Sequence, residues 1–138
     1  MKLELNYHQS GVIPYRIKGK KNIEVLLITS VKRQKWIIPK GYVEFNLSAF
    51  ESAKKEAIEE AGVLGSNETL ELGEFVVQKS FGKSYMKIFS MEVIKEFDDY
   101  LEKAKRKRKW FEIEEAAEKV AIPEITNMIL SLKKKLEI

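Results

Sequence analysis

Apolar positions along the first third of the chain alternate or run together in the way strands do. Ile23 to Thr29 (Ile-Glu-Val-Leu-Leu-Ile-Thr) is nearly continuous, the pattern of a strand buried on both faces. Gln9 to Ile17 carries β-branched and aromatic residues around Gly11 and predicts a second strand with an early bend. Gly19 to Asn22 is the turn between the two. Val31 to Lys35 reads as a basic loop. Trp36-Ile37-Ile38 predicts a short strand ended by Pro39, which has no N–H to give to a ladder. Lys40 to Leu47 reads as loop. Further on, Thr69 to Ser80 and Ser84 to Lys95 predict two strands joined at Phe81-Gly82-Lys83. Phe97 to Lys109 is a charged connector running into a short strand, Lys109-Trp110-Phe111.

From residue 48 the period changes from two to 3.6. Phe50, Ala53, Ala57 and Ala61 share one helical stripe. Ser48 with Glu51 three residues later makes a capping box, and Gly62 suits the left-handed position that stops a helix. A mostly alanine stripe lets this helix lie close to what it packs on. Ile113 to Val120 predicts a short helix. Pro123 suits the first turn of a last helix running to about Leu136, with Ile125, Ile129, Leu132 and Leu136 as its apolar stripe. Strands outnumber helices and their order is mixed, which predicts an α/β (α+β) fold. One mixed sheet would carry helices on both faces, in a single domain over residues 1–138.

Composition narrows the chemistry. Hydrophobic residues make up 44% and charged residues 33%, as in a soluble globular chain. No apolar run approaches the roughly 20 residues that span a bilayer, so no membrane partner is expected. Met1 to His8 does not read as a signal peptide, because its apolar run is short and broken by Glu4. The chain has no cysteine, which removes disulfides and thiolate chemistry and suits a cytoplasmic setting. A single histidine, His8, rules out a multi-histidine centre within one chain. Any metal must then be held by oxygen, which favours Mg²⁺ or Mn²⁺.

The formal charge is +4, and its placement says more than its size. Six of the seven residues from Lys103 to Lys109 are basic, and Lys133 to Lys135 form a second run. Such runs are either solvated surface or an anion-binding rim.

Glu56, Glu59 and Glu60 crowd one side of the predicted helix, since positions i, i+3 and i+4 are neighbours. Three carboxylates so placed repel one another unless lysines such as Lys54 and Lys55 neutralise them or a divalent cation sits among them. Two could hold Mg²⁺ while the third orients or deprotonates a water, with water and substrate phosphate completing the shell. Gly41, with no side chain, could bring a backbone carbonyl to the same centre.

The stretch from Trp36-Ile-Ile-Pro-Lys-Gly41 through Gly62-Val63 resembles the signature of the Nudix hydrolases. That signature is Gly, five residues, Glu, seven residues, Arg-Glu-aliphatic-any-Glu-Glu-any-Gly-aliphatic. Gly41, Glu56, Ala57, Glu59, Glu60, Gly62 and Val63 fall in register. The resemblance implies that family's α/β/α sandwich with a mixed sheet. It also implies Mg²⁺- or Mn²⁺-dependent pyrophosphohydrolysis, with Glu56 and Glu60 as metal ligands beside the Gly41 carbonyl and Glu59 as the base, Glu56 being the alternative base since members differ in this. Two positions depart: Leu47 stands for the signature's first Glu and Lys55 for its Arg. In the family those two form a supporting ion pair; Glu44, in the loop, could be a substitute partner for Lys55 or an extra carboxylate on the metal side.

The segment Lys105 to Phe111, followed by an acidic helix, is similar to the subgroup that cleaves diadenosine and diphosphoinositol polyphosphates. Lys32, Arg33, Lys40, Arg106 and Arg108 are then the candidate phosphate contacts, and the expected partner is a phosphate-rich small molecule. Tyr7 to Ser10 lacks the basic cluster of the inositol-specific members, which favours dinucleoside polyphosphates. Three alternatives stand beside that reading: a non-catalytic polyphosphate sensor, an inositol pyrophosphate hydrolase, and a nucleic-acid partner in the form of a capped RNA end. Tyr15, Phe45, Phe81, Tyr85 and Trp110 could include a base-stacking ring, but for each one core packing is the nearer expectation.

Overall fold

Strongly β-forming runs become one mixed sheet, and the 3.6-period segments cover it. The computed structural model describes residues 5–138, so part of the amino-terminal segment read above for a signal peptide lies outside the described residues. In chain order the elements are β1 (Leu5–Lys18), β2 (Asn22–Thr29), β3 (Trp36–Ile37), β4 (Lys40–Tyr42), α1 (Ala49–Ala61) and β5 (Val63–Gly65). There follow β6 (Glu71–Lys79), β7 (Gly82–Glu96), β8 (Arg108–Glu112), α2 (Ile113–Lys119), α3 (Pro123–Leu130) and α4 (Leu132–Lys135).

The path through the sheet is β3-β2-β1-β7-β5, with β4 on β1, β6 on β7 and β8 on β2. β1 and β7 run parallel, from Leu5 opposite Gly82 to Tyr15 opposite Glu92. The other pairings are antiparallel. Side chains alternate faces along a strand, so β2 feeds two cores. Val25 and Leu27 join Ala116, Ala117, Ile125, Ile129 and Leu132 beneath α2, α3 and α4. Leu26 and Ile28 join Val12 and the stripe Ala53, Ala57 and Ala61 beneath α1. This is the expected α+β arrangement of a mixed sheet between helices.

Four details differ from the sequence reading. Lys40 to Tyr42, expected as loop, is a strand that pairs Gly11, Ser10 and Gln9 of β1. Val63–Gly65 is a further short strand, on β7. Both gain their structure from neighbours distant in sequence. The last helix breaks at Ser131, whose hydroxyl donates to Met128 O at 2.8 Å, the kind of local bond that competes with a helical ladder. Of the aromatics expected in the core, only Tyr15 is there. Phe45 is 93% and Phe81 50% exposed, while Trp110 packs at the edge under Arg16, whose guanidinium carbon lies 4.1 Å from its ring centroid.

Candidate active site

α1 begins and ends where its caps dictate. Ser48 Oγ accepts from Glu51 N and Glu51 Oε1 accepts from Ser48 N, both at 3.0 Å. Gly62, at φ 65°, donates its N–H back to Ala57 O and Ile58 O. A Cβ at Gly62 would collide with Tyr100. The fully buried alanines press the helix onto the sheet and bring its carboxylates down to β4.

Glu60 is the buried member of the three, at 6% exposure. Its Oε1 accepts from Lys40 N at 3.3 Å, and Arg106 Nη2 stands 4.0 Å from its Oε2. Burial, followed by a shared hydrogen bond with the Glu56 carboxyl, pushes its pKa up to about 8; Arg106 and the Lys40 N–H pull the other way. Glu56 is half-buried and lies against Gly41: a Cβ on that glycine would stand 2.6 Å from Glu56 Cδ. Glu59 is half-exposed on the next face of the helix, and its carbonyl accepts from Glu102 N at 2.9 Å. Lys40 lies close enough to feel Glu60 and Glu56. Burial, its largest influence, holds its ammonium below the usual lysine range.

The loop over this pair is tied down by a contact that replaces the missing ion pair. Lys55 Nζ reaches Glu44 Oε1 at 2.9 Å and Oε2 at 3.0 Å. Glu44 N also donates to the buried Ser52 Oγ at 3.0 Å. Leu47 instead lines a groove on the outer side of α1 with Phe50, Ile58 and Leu64.

The basic run divides by alternation. Lys103, Lys105, Lys107 and Lys109 are exposed, whereas Arg106 and Arg108 turn inward. Arg106 donates from Nε to Glu102 Oε1 and from Nη1 to Thr29 O, both at 3.1 Å, which leaves Nη2 toward Glu60. Arg108, expected among the phosphate contacts, is engaged with the protein's own backbone. Its donors bond the carbonyls of Ala61, Gly62 and Phe97 at 2.8 to 3.2 Å, closing the C-terminal end of α1. Lys32 and Arg33 stand on an exposed turn after β2 and make no ion pair among the described residues.

Oxygen donors suited to Mg²⁺ or Mn²⁺ are therefore present: the Glu56 and Glu60 carboxyls, with the Gly41 backbone packed against Glu56. Among the described residues no three acidic or imidazole groups converge on one point. Water and substrate oxygens would fill the remaining positions, as Mg²⁺ commonly requires. Ser10, paired with Gly41 across the sheet, fits the same picture. It is fully buried, its hydroxyl has no partner, and by alternation with Val12 it lies on the α1 face. The strand pairing of Ser10 with Gly41 could not be read from sequence. Ser10 stands between Gln9 and Gly11, and nothing local in the sequence singled it out.

Beside Lys40 a cavity of about 190 Å³ opens between β3 and the α2–α3 turn, lined by Trp36, Ile38, Val120, Ile122 and Ile125.

Comparison with known proteins matches this chain along most of its length. It is 36% identical over 131 residues to Nudix hydrolase 12, mitochondrial, of Arabidopsis thaliana, covering 79% of this chain and 64% of that protein. Diphosphoinositol polyphosphate phosphohydrolase 2 of Rattus norvegicus is 36% identical over 95 residues, covering 67% of this chain and 52% of the relative. This chain thus spans a little under two thirds, or less, of the lengths of these relatives. Among solved structures, a C. elegans Ap4A hydrolase binary complex superposes with a TM-score of 0.75 at 20% identity, over 95% of this chain and 98% of that one. The family model described as NUDIX domain matches residues 8–130. With that match over most of its residues, and the glycine-and-carboxylate arrangement in its sheet and α1, the chain belongs to the Nudix family.

Proposed function

We propose that this chain hydrolyses a phosphoanhydride bond in a nucleoside polyphosphate-type substrate, a dinucleoside polyphosphate first among them, with Mg²⁺ or Mn²⁺ as cofactor. The observation that carries this is the Glu56–Glu60 pair held against a glycine where any side chain would displace the Glu56 carboxyl. Glu56, Glu60 and the Gly41 carbonyl are the groups to hold the cation. Once bound, the cation would acidify the attacking water and draw charge from a phosphate oxygen. Glu59 accepts the proton as that water attacks phosphorus. The P–O bond to the leaving phosphate breaks in the same displacement. Lys40 and Arg106 offset the negative charge around the carboxylates. Lys32 and Arg33 lie on the rim, where they can draw a polyanion in.

The pinned loop, with Lys55 on Glu44, supports a working site over a degenerate one. The relatives' printed names, an Ap4A hydrolase and a diphosphoinositol polyphosphate phosphohydrolase, support a polyphosphate of this class. No helix among the described residues is long and apolar enough to cross a membrane. The lack of cysteine supports a reducing compartment such as the cytoplasm.

The test is a mass-spectrometric screen with Mg²⁺ and with Mn²⁺. Its panel holds dinucleoside polyphosphates, nucleoside triphosphates, inositol pyrophosphates and capped RNA. Glu59→Gln should lower turnover by about 100-fold or more, the scale of a lost general base, while its melting curve stays that of the wild type. Full turnover in both Glu59→Gln and Glu56→Gln would refute the assignment.

A further inference from the structure

Three aromatic rings from three separate segments meet on the surface beside the catalytic loop. Tyr7 of β1 lies edge-on to Tyr42 of β4, with centroids 6.0 Å apart, and to Phe81 of the β6–β7 turn at 5.2 Å. Tyr42 and Phe81 are about half exposed. Single exposed apolar residues need no explanation. A cluster of interlocked rings is different, because edge-to-face contacts hold each ring in a fixed plane. Lys79 adds a charge: its ammonium stands 5.8 Å from the Tyr42 centroid and 6.0 Å from that of Phe81. Tyr42 follows Gly41 in β4 and, by alternation, shares with Gln9, Tyr7 and Lys40 the face of the sheet opposite α1. Gln9, on the face of β1 shared with Tyr7 and only 6% exposed, accepts from Ser84 Oγ at 2.6 Å, so its amide nitrogen is left as a donor.

We propose that Tyr7, Tyr42 and Phe81 form a stacking platform for the base of a nucleotide, with Lys79 taking its phosphate. An apolar partner would not explain a lysine placed among the rings, and a bare polyphosphate would not need the rings. A base joined to phosphate uses both. Base stacking tolerates different bases because each presents a π-face. The choice of ligand rests on reading the carboxylate site as one for nucleoside polyphosphates; the platform itself is tested by binding.

The test is calorimetric titration of the wild-type chain, Phe81→Ala, Tyr42→Ala, Phe81→Trp and Lys79→Met, without divalent metal. The ligands are adenosine monophosphate and ribose 5-phosphate. Phe81→Ala and Tyr42→Ala should each weaken adenosine monophosphate about ten-fold, within the range for losing one stacking ring. Ribose 5-phosphate binding should stay unchanged in both. Phe81→Trp should restore nucleotide binding, and Lys79→Met should weaken both ligands. Wild-type affinity in the two alanine variants, or equal loss of both ligands, overturns the platform. So does a Phe81-dependent dimer by sedimentation with no nucleotide effect, which would make the patch a contact between copies. Turnover is read separately. A chain that hydrolyses nothing yet binds nucleotide through Phe81 keeps the platform and loses the hydrolase reading. A chain that hydrolyses polyphosphates with no role for Phe81 does the reverse.

Discussion

Replacing Gly41 with alanine should separate activity from stability. The added methyl would stand 2.6 Å from Glu56 Cδ and 2.8 Å from its Cγ and Oε1. Carbon atoms rest about 3.5 to 4.0 Å apart, so the carboxyl group must retreat by about 1 Å. The obstacle is the mobile end of a side chain, and Gly41 is not among the residues at positive φ. The backbone therefore accepts alanine, and the restricted unfolded chain offsets part of the crowding. The expected stability change is within about 1 kcal/mol, or about 4 °C in Tm. Turnover should fall far more, because a misplacement of about 1 Å at a reacting centre costs about 100-fold. The assay is kcat/KM on a dinucleoside polyphosphate with Mg²⁺, beside a thermal melt. Combining Gly41→Ala with Glu56→Gln should add little to Glu56→Gln alone, since both act on one carboxyl group. Wild-type turnover in Gly41→Ala, or losses that multiply in the double variant, would refute this account of the glycine.

Arg108→Met should destabilise the fold by about 2 kcal/mol, because charged hydrogen bonds to the end of α1 are lost, while KM stays unchanged; a raised KM with an unchanged melt would return Arg108 to the phosphate site. Charge reversal at Glu44 or Lys55 alone should lower kcat by loosening the loop, and the swapped pair Glu44→Lys with Lys55→Glu should recover it in the same steady-state assay. Glu60, with a folded pKa raised to about 8 from an ordinary 4.5, binds its proton more tightly folded than unfolded. Its contribution to metal-free stability is therefore full below about pH 4.5 and is lost as pH rises toward and through 8. Melting curves from pH 5 to 9 should show that fall in the wild type and not in Glu60→Gln, and Mg²⁺ should stabilise the wild type increasingly as pH rises.

The parts legible in sequence are those whose determinants are local. Ser48, Glu51 and Gly62 marked the ends of α1 because a cap is made by neighbours in the chain, and the alanine stripe marked its buried face. β4 and β5 escaped because three residues carry too little period, and their partners lie more than twenty residues away in β1 and β7. The carboxylates were legible as a spacing. Their unequal surroundings were not, since Lys40 and Arg106 reach Glu60 from segments on either side of α1 in the chain. Arg108 looked like rim charge for the same reason: nothing near it in sequence reveals that three carbonyls wait for it. The replacement of the missing ion pair by Lys55 and Glu44 was visible as an option because the loop and helix adjoin. The Tyr7–Tyr42–Phe81 cluster was hidden because it joins three segments, and Phe81 resembled core until its surroundings were known.

Ala53, Ala57 and Ala61 touch no cation and no phosphate, yet their lack of bulk sets the height at which α1 rides above the sheet. Each added methylene there would raise Glu56 and Glu60 away from Gly41. The permissible alphabet at these positions is therefore limited by chemistry performed on the adjoining flank of the same helix. In a mutational scan scored for turnover, Ala57 would rank with the carboxylates, although by contact alone it is ordinary packing. Engineering a larger substrate cleft by repacking this interface would sacrifice the site it was meant to widen. The adjustable region lies instead on the opposite face of the sheet, where a cavity beside Lys40 already separates β3 from the α2–α3 turn.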